Sequence, residues 1–246
     1  MLPSKEWWIA AELALFDVGT RWRGDDGQLV EALEQSEART STIAPGIAFG
    51  LRWHNGFSLS LGLLQERSER SFHHVDRRME VSHEIHHFMV TLNDQVIWSD
   101  VDTVTHTTWH ERVAAGRGSQ ATLLLPAEAA WQKALGRTII GVGAGLALEL
   151  PIGQQGAMLD RSAGDGGLIA REVGTAEWRA RQPAAMLGSA SISLGRQINE
   201  HWSVHAGPRC MVALGAFGGS NEARSLNDRF GVRFGITHHF SPKRQP

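Results

Sequence analysis

Two groups of residues in this chain have types that could do chemistry. The first is a set of charges scattered among small side chains: Glu12, Arg52, Glu128, Glu149, Arg209 and Arg233. Each falls on the small or polar side of a stretch in which apolar and small residues alternate. In an extended strand, successive side chains point to opposite faces, so these charges point away from the apolar residues beside them. Carboxylates and guanidiniums that share a narrow interior must pair there, and a paired network fills space. A gated polar pathway is the competing use of the same residues. The second group is histidine: His73, His74, His83, His86, His87, His106 and His110 all fall between Gln65 and Ser119. Imidazole is a ligand for zinc, copper and nickel, which makes His83, His86 and His87 the candidate metal ligands. His83 and His87 would share one face of a helix, but the surrounding pattern is not helical. No ligand spacing with a fixed turn accompanies them. They are read as solvated histidines, and no metal or other cofactor is expected.

Other reactive constellations are weaker. Serine, histidine and aspartate all occur, but no Gly-x-Ser-x-Gly elbow lies between a strand and a helix. Gly141-Val142-Gly143-Ala144-Gly145 is followed by no helix and no acidic partner, so its glycines belong to a strand rather than a nucleotide-binding loop. No catalytic residue is assigned.

The elements that must hold these residues are strands. The clearest runs from Thr138 to Leu150. Ile140, Val142, Ala144, Leu146, Leu148 and Leu150 lie on one face, and Gly141, Gly143, Gly145, Ala147 and Glu149 on the other. Eight such strands are expected, over 7–17, 43–53, 57–65, 120–131, 138–150, 185–198, 202–214 and 229–240, all within one domain spanning 1–246. Asn55-Gly56 reads as a type I′ hairpin turn. The connections after the second, fourth and sixth strands are short, and the other connections are long. The segment from Gln65 to Ser119 is expected as a loop, parts of which alternate well enough to extend its flanking strands as a hairpin. Trp7, Trp53, Phe57, Trp131, Trp202 and Phe240 all fall at the short-turn end, with Trp8 beside Trp7. That is where an aromatic girdle would meet lipid headgroups.

Composition agrees. The net charge of −2 implies no broad attraction to nucleic acid, and a single cysteine allows no internal disulfide. No run of about 18 apolar residues exists to span a membrane as a helix. Lysine is confined to Lys5, Lys133 and Lys243, all outside the expected strands, whereas a solvated outer wall normally carries many. Tyrosine is absent and tryptophan abundant, a usage with no physical explanation here. Taken together, the pattern is that of an all-β, antiparallel, up-and-down transmembrane β-barrel of eight strands, with long loops at one end.

Several stretches resemble the outer-membrane β-barrel domain family common in Bacteroidetes, with its OmpA-like and PorT-like small barrels. They are Pro45-Gly46-Ile47-Ala48-Phe49-Gly50-Leu51, Leu59-Ser60-Leu61-Gly62-Leu63, the apolar-Pro step Leu123-Leu124-Leu125-Pro126-Ala127-Glu128, and the closing Phe234-Gly235-Ile236-Thr237-His238-His239-Phe240. The resemblance implies bacterial outer-membrane localisation, outer-membrane lipid as surroundings, and the barrel-assembly machinery as a partner. It carries no catalytic residues. The chain departs from the family in lacking tyrosine, in the tail Ser241 to Pro246, and in Met1 to Lys5, which lead into a strand without the regions of a signal peptide. Export would therefore require a trimmed chain or one that continues upstream.

The expected role is non-enzymatic: structural, adhesive or binding, through long extracellular loops with an unidentified ligand, and with both termini periplasmic. Three alternatives stand beside it: a narrow-solute channel, a soluble lipocalin-like carrier with its apolar residues inside, and an outer-membrane enzyme.

Overall fold

The computed structural model describes residues 5–37, 40–92, 94–162 and 167–240. The tail from Ser241 to Pro246 and the first four residues lie outside them. Among the described residues nine strands and two helices form: β1 (Lys5–Arg23), α1 (Gly27–Ser36), β2 (Thr40–Trp53), β3 (Phe57–Leu92), β4 (Gln95–Leu135), β5 (Thr138–Arg161), β6 (Leu168–Glu172), α2 (Thr175–Arg181), β7 (Ala184–Gln197), β8 (Trp202–Phe217) and β9 (Arg224–Phe240). The fold is all-β and antiparallel. Each of the eight expected strands is present, and the ninth is the short β6, which pairs with the outer part of β5.

The antiparallel ladders run in a cycle. In sequence order, β1, β2, β3, β4, β5, β7, β8 and β9 each pair with the next, and β9 pairs back onto β1, with Trp7 opposite Phe240 and Arg23 opposite Arg224. Alternation then sorts the side chains. Along β2, outward Ile43, Ile47 and Phe49 are exposed, while Thr42, Ala44 and Ala48 between them are buried. Along β9, Phe230, Val232, Phe234 and Ile236 are exposed, while Arg229, Thr237 and His239 are buried. The large apolar residues therefore line the outside of the cycle, and the small and charged ones fill its inside.

Three expectations need correction. The strands outrun their expected ends. The segment from Gln65 to Ser119, expected as a loop that in part extends its flanking strands as a hairpin, forms that hairpin almost throughout, paired out to Leu92↔Gln95 with a register shift at Val90/Thr91. Its residues alternate, but charge and histidine interrupt the apolar face and hide the period. The first hairpin is not type I′, which needs two residues of positive φ. Gly56 has φ 86° and Asn55 is not among the positive-φ residues. The Gly56 amide donates to the Trp53 carbonyl at 3.0 Å, so His54, Asn55 and Gly56 make a three-residue loop with the left-handed residue last. Finally, the long connections are not free of regular structure.

Helix α1 begins because the Asp26 side chain accepts a hydrogen bond from the Leu29 amide, satisfying one of the unpaired donors of the first turn. Its buried face carries Leu29, Ala32 and Leu33. These pack with Trp22 of β1, Phe72 of β3, Ala114 of β4, Leu159 of β5, Leu168 of β6 and Ala223. Residues from five strands thus converge under one helix, which forms an apolar lid at the long-loop end. The Asp26, Leu29, Leu33 spacing was available in the sequence. A single apolar stripe on a short segment between strands fits a loop equally well, so the spacing alone does not distinguish the two.

Candidate functional site

Inside the cycle, the six expected charges do not form one network. Four come together. Glu128 of β4 accepts hydrogen bonds from Arg209 of β8, from Arg233 of β9 at 3.1 Å and from the Ser189 hydroxyl of β7 at 3.3 Å. Glu12 of β1 lies 3.6 Å from Arg233 and 3.9 Å from Arg209. Both carboxylates and Arg209 are buried.

Glu149 belongs to a second cluster. Its partner is Arg229, fully buried at 0 % exposure. Arg229 donates to both oxygens of Glu149, at 2.8 Å and 3.2 Å, and to Glu66 at 2.7 Å and 3.3 Å. Asn227 extends the cluster by donating to Glu149 at 2.8 Å and accepting from Arg70 at 2.9 Å. This is the planar guanidinium geometry that makes a buried charge tolerable, because every donor face meets an acceptor. Glu66 and Arg229 are missing from the expected set, although strand parity marks them. Glu66 shares its face with Ser58, Ser60 and Gly62, and Arg229 shares its face with Gly231 and Arg233. Glu66 falls one residue past the expected end of its strand, and Arg229 opens its own.

An apolar layer separates the two clusters. Ala14 is one inward step beyond Glu12 on β1. Leu64 and Ala147 are one inward step before Glu66 and Glu149. All three belong to a buried cluster with Phe16, Leu124, Leu187 and Met211. From the short-turn end inward, the interior therefore reads charge, apolar layer, charge and then the lid over α1. A cavity of about 60 Å³ lies beside the first cluster, lined by residues that include Trp8, Glu12, Arg52, Ser58 and Ser60.

Arg52 stands apart from both clusters, at the open short-turn mouth. It lies 3.8 Å from Glu6 and donates to Gln132. The mouth is a bowl of about 620 Å³ that also includes Lys5, Lys133 and Glu200.

The expected aromatics gather outside that same end. Trp7, Phe57, Trp131, Trp202 and Phe240 are exposed and Trp53 is half-buried. Trp53 and Phe57 rings lie 5.4 Å apart, and His238 sits 4.7 Å from both Trp202 and Phe240. Trp8, grouped with Trp7 in the sequence, turns inward, as its odd–even position requires, with its ring against Gly50.

His83, His86 and His87 lie on the ribbon, not on a helix. His83 is 3.1 Å from the Thr105 hydroxyl and His86 is 3.7 Å from Glu84. Strand geometry puts His86 on the face opposite His83 and His87, which scatters the three. Among the described residues no group of three or more His, Cys, Asp or Glu side chains is placed to hold a metal.

No protein-family model matches the chain, and no curated protein matches it. Solved structures do. Neisserial surface protein A matches with 9% identity and a TM-score of 0.48, over 95% of this chain and 97% of its own. The outer membrane protein OprG from Pseudomonas aeruginosa matches with 9% identity and a TM-score of 0.49, over 98% of each chain. The outer membrane protease OmpT from Escherichia coli matches with 8% identity and a TM-score of 0.42, over 96% and 97%. These three structures are outer-membrane β-barrel proteins.

Proposed function

We propose that the chain is an eight-stranded transmembrane β-barrel of the bacterial outer membrane, with both termini at the periplasmic end, and that its role is structural, adhesive or binding rather than enzymatic. The observation that carries this reading is the inverted wall. Large apolar residues are exposed around the cycle of strands, while Glu12, Glu66, Glu128, Glu149, Arg209 and Arg229 are buried inside it. A carrier of lipocalin type needs the opposite arrangement. The outward apolar stretches, Trp7 to Leu15 on β1 and Ile43 to Trp53 on β2, match the roughly 9–11 residues that a tilted strand needs to cross hydrocarbon. Cyclic pairing leaves no open edge, which a bilayer requires because it offers backbone groups no water.

The two charge clusters, the apolar layer and the lid make the lumen a plug, which disfavours the narrow-channel reading. What remains for function is the surface beyond the membrane: the β3–β4 ribbon and the helical cap, on the side where loops of such barrels carry recognition. Assembly by the barrel-assembly machinery, and an export leader, are part of the proposal. Flotation tests it. Refolded protein is expected to float with liposomes and to resist alkaline carbonate extraction. Full solubility without detergent, with no flotation, would overturn it.

A further inference from the structure

The β3–β4 ribbon continues past the barrel, and its described side chains from Arg77 to Leu92 and from Gln95 to Val113 are exposed on both faces, His86 being half-buried. A two-stranded ribbon standing alone in water is marginal at best, so this one calls for a covering surface. Its two faces differ. The face continuous with the lipid-facing wall is polar just above the membrane, at Gln65, Arg67, Glu69, Ser71 and His73. Further out it becomes apolar again, with Met79 paired to Trp109, Val81 to Thr107, Ile85 to Thr103, and Val101 to His87. Trp109 is 68% exposed and Ile85 59%. The opposite face is charged along most of its length, at Asp76, Glu80, Glu84, Asp102, His110 and Arg112, and exposes Phe88, Val90, Trp98 and Val104 toward the outer end, so the outward face is the less charged of the two.

We infer that the outward face of the ribbon is the contact surface for a second copy of this chain in the same membrane. Three features point to that occupant. First, the face continues the outer wall, so it looks sideways, away from its own barrel and toward a neighbour. Second, the charges on this part of the face are Arg77 and Glu111, which pair with each other at 3.1 Å. Two identical faces can therefore meet without like charges opposing, whereas a binder of strongly charged ligands would leave them unbalanced. Third, the area is sufficient. From Val75 to Met89 at about 3.3 Å per residue the face is about 45 Å long, and two strands make it about 10 Å wide. Two copies would bury on the order of 1,000 Å² in total, the lower bound for a specific interface. Anchoring in one membrane already aligns the copies, which lowers the orientational cost of association. The inference rests on the reading of the chain as a membrane barrel.

Disulfide trapping of the full chain in liposomes tests it. The sole native thiol, Cys210, is removed as Cys210→Ser. V81C or I85C then places a thiol on the outward face, and E80C or E84C on the opposite one. The outward thiols are expected to form covalent dimers at least tenfold faster under mild oxidation. Met79→Arg and Trp109→Arg are expected to weaken dimerisation at least tenfold, counted by single-molecule photobleaching. Equal trapping from both faces, or single copies throughout, would overturn the inference. So would an environment-sensitive dye at V81C reporting a buried site in single copies, since another occupant would then cover the face. Failure to float with liposomes would instead remove the membrane reading beneath it.

Discussion

Arg229 Nη2 donates to Glu149 Oε1 at 2.8 Å, joining β9 to β5, two strands that share no ladder. The contact crosses the interior, and Glu66 of β3 holds the other side of the same guanidinium. One side chain therefore ties together three parts of the wall that the backbone pairs only through intermediates.

Arg229→Met should leave Glu66 and Glu149 buried and facing each other. Breaking one member of such a set costs about 3–5 kcal/mol, because the residual charge has no compensation. Urea unfolding in detergent micelles should show this loss. Adding Glu66→Gln and Glu149→Gln should restore most of it, since the penalty lies in the unpaired charge rather than in lost attraction.

The interior should not conduct. In planar bilayers the folded protein is expected to show no large, steady current. Such currents from purified protein would contradict a lumen closed by two charge clusters, an apolar layer and the lid over α1.

Position on the wall should decide the cost of a new charge. Leu61→Arg and Leu146→Arg face outward in the middle of the apolar belt, where arginine costs roughly 2–4 kcal/mol. Ser71→Arg, also outward but above the belt, should cost almost nothing. Equilibrium unfolding into urea from lipid vesicles measures both, and equal effects at the two heights would contradict the belt.

The lid should loosen in acid. Asp26 caps α1 and pairs with Arg161, whose Nη2 donates to Asp26 Oδ1 at 2.7 Å. The hydrogen bond from Arg161 is the main cause that lowers the Asp26 pKa from 3.8 to about 2. A depressed carboxyl pKa means stability present above about pH 4 and lost as pH falls through about 2. Amide exchange of α1 should therefore accelerate between pH 4 and 2, and Asp26→Asn should flatten that dependence.

The alternation of large apolar with small residues made all eight wall strands and their faces legible, because the period-2 signal is undisturbed wherever the outer wall is apolar. The ribbon, the lid and the second charge cluster were harder to read. Above the apolar belt the outer face is not uniformly apolar, and residues such as Glu69, His73 and Arg77 break the pattern that marks a strand. Helix α1 buries three side chains, too few to outweigh a loop reading. Glu66 and Arg229 sat at the margins of recognised strands, and parity alone identifies them as inward. Which charges pair across the interior depends on strand stagger, so Glu149 could not be separated from Glu128 before the register was known.

Depth-resolved fluorescence quenching tests the orientation of the wall most directly. In variants carrying one tryptophan each, brominated lipids should quench L61W most strongly when bromine lies deep in the acyl chain. The native Trp131 should be quenched most strongly when bromine lies near the headgroup, and the inward Trp8 at neither depth. Deep quenching of Trp8 with none of L61W would place the apolar residues inside and contradict the account.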